Sequence, residues 1–134
     1  MRRFLTLCLL SVAALQLGRA ASAADDPLQK PLHQACLVYD AGWIGKSEKD
    51  VDANCACKAK TEASLASPEF REAILKKGVY EGGAFPFGDY GAYQERVLTE
   101  CPKLRPLMIE ALCNDPAAPP DACAAVKDMV SKLK

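Results

Sequence analysis

Two cysteines separated by a single residue, Cys55 and Cys57, constrain the fold of this chain more than any other sequence feature. The segment around them has helical character, and in an α-helix two residues at this spacing point about 200° away from each other. Their side chains therefore cannot meet, and each is expected to bond to a different element. The pair predicts a covalent junction between parts of the fold, which says little by itself about function.

The first 23 residues have the pattern of a secretory signal peptide. Two arginines precede an apolar run over residues 4–17, and Ala21–Ala23 forms a small-x-small cleavage site. This run of 14 residues is too short to span a bilayer, which requires about 20. We therefore expect residues 1–23 to be a signal peptide. Residues 24–134 should form one disulfide-rich helical domain without a transmembrane segment, in the periplasm or secreted.

Loss of the signal peptide, which carries Cys8, leaves an even number of cysteines in a short exported chain. That combination predicts a framework of three disulfides. The six cysteines expected to form it are Cys36, Cys55, Cys57, Cys101, Cys113 and Cys123.

The spacing of the cysteines favours one pairing scheme. If the first two helices form a hairpin around Gly45, Cys36 lies level with the central pair. Cys113 and Cys123 flank a proline-rich turn, so a bond between them would close the last hairpin. The remaining central cysteine would then bond to Cys101. Which central cysteine takes which partner stays open, and so does an interleaved pattern, because six cysteines allow many connectivities.

The spacing of apolar residues predicts an all-α fold of five to six short helices. The first helix should begin near Pro31, which is tolerated only in a first turn. The second should begin near Asp50 or Asp52 and extend to Ala66. No stretch alternates between apolar and polar residues as a half-buried strand would.

The later helix boundaries carry clearer signals. Ser67 and Pro68 have the order of a helix cap followed by a first helical residue, and Gly78 follows two lysines at the expected end of that helix. Asp89 is suited to cap the fourth helix. Pro102 separates it from a fifth, and a last helix follows the proline-rich turn at 114–120.

The charge balance argues against nucleic acid or an anionic membrane as a partner. Without the signal peptide, 14 basic side chains stand against 17 acidic ones. A mildly acidic small protein lacks the positive field that binds phosphate groups.

The Cys-x-Cys pair is also compatible with redox or metal chemistry. Lys58 and Lys60 could lower a thiol pKa, whereas a metal site would need more ligands at short spacing. His33 is the only histidine in the chain, so we favour a structural role for the cysteines and expect no metal, no cofactor and no catalytic residues. Several acidic residues could in principle form a catalytic pair, but a position at a helix start or on a solvated face explains them more simply. They are Glu69, Glu72, Asp89, Glu95 and Glu100.

A glycine-rich loop with several aromatic residues is the strongest functional candidate. Large rings on a glycine-hinged loop could form the mouth of an apolar ligand site or an anchor for a protein partner. In the simpler interpretation, which we favour, Phe85 and Phe87 fold back over a core that has few other large side chains. The candidate binding residues are Tyr80, Phe85, Phe87, Tyr90 and Tyr93.

Part of the chain resembles a group of small exported proteobacterial proteins. The resemblance covers Cys36, the Cys55–Cys57 pair after a gap of 18 residues, the helix start at Ser67–Phe70, and Cys101. It implies a helical disulfide fold and no assigned activity, with the last two cysteines as an addition. The six-cysteine order is also similar to that of insect odorant-binding proteins, which are helical carriers. Those have three residues between the second and third cysteines, where this chain has one.

Together these features lead us to expect a non-catalytic binding protein of the cell envelope or extracellular space, whose partner is another protein. The alternative is a carrier of a small apolar ligand with the Gly82–Gly88 loop as its mouth. That carrier should contain an enclosed apolar cavity bordered by Phe85, Phe87 or Tyr90. A second alternative is a thiol-disulfide oxidoreductase that uses Cys55 and Cys57.

Overall fold

The computed structural model describes residues 25–134, which form α-helices and connecting loops without a β-strand. This confirms the all-α prediction; the predicted signal peptide lies outside the described residues. The helices are α1 (Gln29–Tyr39), α2 (Glu48–Leu65), α3 (Pro68–Lys77), α4 (Tyr90–Glu100), α5 (Leu104–Asn114) and α6 (Ala122–Lys132).

Local chemistry at the boundaries of α3 and α4 matches the prediction. The Ser67 side chain accepts a hydrogen bond from the backbone N–H of Phe70 at 3.2 Å, and Pro68 is the first helical residue. Gly78 ends α3 in the left-handed conformation with φ of 78°, which glycine adopts at little cost. The Asp89 carboxylate caps α4 through the N–H of Ala92 at 2.8 Å.

The predicted start of α2 at Asp50 or Asp52 is wrong. The helix begins at Glu48, because Ser47 is the cap and its hydroxyl oxygen accepts from the N–H of Asp50 at 3.2 Å. The same hydroxyl donates to the Asp50 carboxylate at 2.7 Å. Asp50 therefore belongs to the first turn, where a negative charge also favours the helix dipole.

Three disulfides connect the helices in the predicted scheme. Cys36–Cys55 joins α1 to α2, and Cys113–Cys123 joins α5 to α6. Cys57–Cys101 attaches α2 to the end of α4 across a sequence separation of 44 residues. The choice left open by the sequence is thus resolved: Cys55 turns toward the first helix, and Cys57 turns toward the second half of the chain.

The core is organised around α2, which packs against α1 on one side and α4 on another, while α6 contacts both α4 and α5. Small residues on α2, including Ala59 and Ala63, are almost fully buried and allow its neighbours to approach closely. Asn54 donates its amide N–H to the carbonyl of Ile44 at 2.6 Å, which fixes the connection between α1 and α2. The largest fully buried side chains include Leu28, Leu32, Ile44, Leu98 and Leu104.

A bidentate ion pair holds the segment before α1 against α3. The two terminal nitrogens of Arg71 donate to the two carboxylate oxygens of Asp26 at 2.6 and 2.8 Å. Arg71 also donates to the carbonyl of Ala63 at 2.6 Å, and Asp26 accepts from the N–H of Leu28 at 2.9 Å. These bonds bring three separate parts of the chain together beside the buried side chain of Leu28.

Candidate functional site

The predicted aromatic loop folds into one cluster of rings over the α2–α4 face. The ring centroids of Phe85 and Tyr93 are 4.9 Å apart, and those of Phe87 and Tyr93 are 5.4 Å apart with the rings nearly parallel. Phe70 of α3 lies edge-on to Tyr80 at 5.2 Å and completes the cluster on its far side. All five candidate residues therefore lie in the same region.

The cluster divides into buried and exposed members. Phe87 and Tyr93 are 7% and 9% exposed and belong to the core, as expected for a loop that folds back. Phe85 and Tyr90 are 42% and 59% exposed, although their rings are only 5.3 Å apart. The core-covering interpretation is thus correct for Phe87, whereas the Phe85 ring extends beyond the core into clefts open to solvent.

A buried polar network that the sequence did not predict lies beneath these rings. The Tyr93 hydroxyl donates to Glu62 Oε1 at 2.6 Å, and Lys58 Nζ donates to the same oxygen at 2.6 Å. Lys58 also pairs with Asp40 Oδ2 at 3.1 Å, and Trp43 Nε1 donates to Asp40 Oδ1 at 3.0 Å. The only sequence signal was the four-residue spacing of Lys58 and Glu62, which matches a common surface pair on a helix.

The network shifts the protonation equilibria of its members. Burial raises the pKa of the Tyr93 hydroxyl well above its ordinary value, and the adjacent Glu62 carboxylate raises it further by its charge and by accepting the hydroxyl proton. Burial alone would lower the pKa of Lys58, but the Glu62 and Asp40 carboxylates outweigh it and leave the pKa raised. Lys58 is therefore a cation near neutral pH, and Tyr93 is a neutral hydrogen-bond donor.

Three open clefts adjoin one another around the aromatic loop. The first has a volume of about 260 Å³ and lies between α1, α2 and the loop at 80–87. The second, here called the Trp43 cleft, has a volume of about 560 Å³ and lies between the α1–α2 connection, α4 and α5. These two share Asp40, Lys58, Phe85 and Tyr93 as their common wall. The third, of about 290 Å³, shares Tyr39 and Tyr80 with the first.

The exposed apolar side chains concentrate on these clefts. Of the seven large apolar residues exposed within 25–134, five line them, and only Leu37 and Leu75 do not. We call these five the apolar belt: Val38, Tyr39, Val79, Phe85 and Tyr90. The clefts lined by the belt form a connected series, because each cleft shares residues with the next.

The other residues considered as chemical candidates have structural roles. The six cysteines within residues 25–134 are all in disulfides. His33 Nε2 lies 3.0 Å from the Asp52 carboxylate on the surface. Glu100 accepts from Thr61 at 2.9 Å, and Asp89 caps α4.

Two features are absent from residues 25–134. Within this range no three histidine, cysteine or acidic side chains are grouped closely enough to hold a metal ion. The helices described there are also too short or too polar to cross a lipid bilayer.

Comparison with known proteins gives no match: no protein-family model, no curated protein sequence and no solved structure is similar to this chain. The resemblance to exported proteins with a Cys-x-Cys pair therefore stays a prediction. A functional proposal has to rest on the geometry of the clefts and on the three disulfides, which indicate an oxidising compartment outside the cytoplasm.

Proposed function

We propose that this protein is a non-catalytic binding protein of the periplasm or the extracellular space, and that it recognises another protein through the apolar belt. The observation that carries this proposal is the concentration of exposed apolar side chains on three adjoining clefts. Large exposed apolar patches often mark interaction sites on soluble proteins. Aromatic side chains such as Phe85 and Tyr90 are also the kind that anchor protein interfaces.

The scaffold supports a binding role because disulfides and ring packing anchor the loop. Cys36–Cys55 and Cys57–Cys101 fix α1 and α4 to α2, and these helices form the walls around the loop. Phe87 and Tyr93 attach the loop to the core, and Phe85 packs on Tyr93. Binding through Phe85 should therefore cost little conformational entropy. A preformed surface of this kind is suited to recognition.

Co-purification from the native cell envelope at low salt, followed by mass spectrometry, tests the proposal. A double variant, Val38→Ser with Tyr90→Ser, removes apolar area from two exposed side chains and should leave the core intact. Leu75→Ser is the matched control, since Leu75 is 42% exposed and lies outside the clefts. We expect a stoichiometric protein partner that the unchanged protein and Leu75→Ser retain and the double variant loses.

Either of two results would contradict the proposal: recovery of no stoichiometric partner, or equal recovery by the belt variant and the control. Circular dichroism of each variant verifies that its helices and thermal midpoint are retained. Any loss of partner in the double variant can then be assigned to the surface and not to unfolding.

A carrier of a small apolar ligand is the second candidate, favoured by the size of the Trp43 cleft. Its volume of about 560 Å³ lies within the range of small-molecule sites. The cleft is lined in part by Trp43, Met108 and Leu112, although it is open, whereas we expected a carrier to enclose its ligand. Displacement of a fluorescent naphthylamine probe by fatty acids and aromatic alcohols would support a carrier, and a lack of probe binding would oppose it.

The oxidoreductase alternative requires reactive thiols. Cys55 and Cys57 bond to two other helices and not to each other, so their exchange would open the fold. Alkylation of the mature protein without reductant, read by intact mass, should add no label. Two labelled thiols would favour the redox function over binding.

A further inference from the structure

We propose that the Trp43 cleft receives a basic side chain, lysine or arginine, from the protein partner. This inference rests on the proposed function, because it specifies what one part of the belt recognises. Three features of the cleft carry it: its charge, its aromatic lining, and its continuity with the rest of the belt.

The charge of the cleft is negative. Asp40 and Asp115 line it together with Lys58, and Glu62 lies directly behind Lys58. The single ammonium is already paired with Glu62 at 2.6 Å and Asp40 at 3.1 Å. Asp115 is exposed and accepts from the N–H of Ala117 at 2.8 Å, and no ion pair within residues 25–134 involves it. The lining thus carries two carboxylates and one ammonium, and that ammonium is already neutralised by Asp40 and by the buried Glu62 behind it. This balance favours a positively charged guest.

The aromatic lining suits an ammonium or guanidinium group. Trp43, Phe85, Tyr90 and Tyr93 all line the cleft, and cations are attracted to the electron-rich faces of such rings. Met108 and Leu112 provide apolar surface along which the methylene stem of a lysine or arginine can pack. A carboxylate guest would meet Asp40 and Asp115, and a purely apolar guest would gain nothing from them.

The continuity of the clefts favours a side chain on a protein over a free amine. The Trp43 cleft is open, and Phe85 separates it from the first cleft, whose rim continues along Tyr39 to the third. A partner that covers this surface can place one basic side chain in the Trp43 cleft while its apolar residues contact the belt. A small free cation would use only one of the three clefts.

Binding of short peptides, followed by the fluorescence of Trp43, tests the inference. Trp43 is the only tryptophan in the chain, and it lines this cleft and a neighbouring one beside Lys46 and Glu110. Variants at Asp115 and Phe85, which line only the Trp43 cleft of these two, therefore assign the signal. The probes are acetylated, amidated tripeptides with leucine at both ends and lysine, norleucine or glutamate in the centre, together with n-butylammonium. We expect the lysine peptide to bind about two- to fivefold more tightly than the norleucine peptide, with the glutamate peptide weakest. High salt should remove the lysine preference.

Two variants separate charge from aromatic character. Asp115→Asn retains the oxygen that accepts from Ala117, and it should lower the affinity for the lysine peptide about two- to fivefold without changing that for the norleucine peptide. Phe85→Leu keeps apolar volume and should reduce the lysine preference in the same way. Glu72→Gln is the control, because Glu72 is an exposed acid of α3 outside the three clefts.

The outcomes distinguish this inference from the proposed function. Equal affinity for the lysine and norleucine peptides, or no effect of Asp115→Asn, would overturn the inference even where the belt variant still loses its native partner. Affinity for n-butylammonium equal to that for the lysine peptide would also overturn it, in favour of a free organic cation. The lysine peptide could bind more tightly than the norleucine peptide while the native partner binds the belt variant as well as the unchanged protein. That result would support the inference about the cleft and contradict the proposed function of the belt.

Discussion

The Tyr93 hydroxyl donates a hydrogen bond of 2.6 Å to Glu62 Oε1, and both side chains are buried. A carboxylate in such a place is costly unless it is paired and hydrogen-bonded. Lys58 supplies the charge partner, and Tyr93 supplies a neutral donor. Because Phe85 and Phe87 both pack on the Tyr93 ring, the network that satisfies Glu62 also fixes the aromatic wall of two clefts.

Tyr93→Phe should therefore destabilise the protein by about 1.5–3 kcal/mol, the range for hydrogen bonds to charged groups. The substitution removes only the donor, since the ring is retained. Tyr90→Phe is the control, because the Tyr90 hydroxyl accepts a hydrogen bond from Gln94 at 3.1 Å on the surface. Its removal should lower the free energy of unfolding by less than about 0.5 kcal/mol. Urea unfolding measures both, and similar losses in the two variants would contradict the role assigned to Glu62.

Lys58→Met should destabilise the protein by about 3–5 kcal/mol, because it leaves two carboxylates facing each other without their shared cation. Adding Glu62→Gln should recover part of this loss, since the amide oxygen can still accept from Tyr93. Lys60→Met, at an exposed position on the same helix, is expected to be nearly neutral. If the double variant were no more stable than Lys58→Met alone, the loss would not come from the uncompensated charge.

The helix boundaries that the sequence predicted correctly depend on neighbours in the chain. The boundaries of α3 depend on interactions within a few residues of Ser67, Pro68 and Gly78. They can therefore be predicted without knowledge of the tertiary structure. The start of α2 was misplaced because Ser47, Asp50 and Asp52 are all able to cap a helix. Ser47 followed three residues later by an acid resembles the capping-box pattern, and that signal would have found the correct cap.

The polar network could not be predicted because its members are distant in sequence. Lys58 and Glu62 look like an ordinary surface pair until Tyr93, 31 residues away, covers them. The sequence indicates the region of the aromatic cluster but not the difference in burial between Phe85 and Phe87. Both rings pack on Tyr93, and Phe87 also packs on Phe70 of α3, whereas Phe85 packs on the exposed Tyr90. Tertiary packing, and not local pattern, decides which ring is buried.

The Asp26–Arg71 pair should make stability sensitive to acid. The Arg71 guanidinium, with a smaller contribution from the N–H of Leu28, holds the pKa of Asp26 below its ordinary value despite partial burial. A carboxyl with a lowered folded-state pKa contributes stability above its unfolded pKa, and this contribution is lost as the pH falls through the folded pKa. Asp26→Asn should thus cost about 1 kcal/mol near neutral pH, reduced by the partial exposure of the pair.

Urea unfolding at about pH 7 and about pH 2.5 tests this expectation, since the difference between Asp26→Asn and the unchanged protein should shrink at the lower pH. Asp25→Asn is the matched control, because Asp25 is the exposed preceding residue. A gap between Asp26→Asn and the parent that persists at low pH would show that the ionised carboxylate is not responsible.

The disulfide that joins α2 to the end of α4 and the one that joins α5 to α6 should differ in their contributions to stability. Replacing Cys57 and Cys101 by alanine opens a loop with a separation of 44 residues, whereas replacing Cys113 and Cys123 opens one of 10. The chain-entropy relation gives losses of about 4 and about 3 kcal/mol. The first loss should be larger still, because Cys101 is buried. The urea midpoints of the two double variants measure this difference. A greater loss without Cys113–Cys123 would show that the Cys57–Cys101 bond is not the main covalent constraint on the fold.

Gly45→Ala should destabilise the connection that carries Trp43. A β-carbon at Gly45 would lie 2.6 Å from the backbone nitrogen of Val51 and 2.9 Å from the carbonyl carbon of Asp50, so the first turn of α2 would have to move. We expect a loss of about 1–3 kcal/mol and a changed Trp43 fluorescence spectrum. Gly42→Ala is the matched control: its β-carbon would meet no atom within 4 Å, and stability should hold or rise slightly. Equal stabilities of the two variants in urea would contradict this prediction. They would show that the first turn of α2 can move away from residue 45 without a loss of stability.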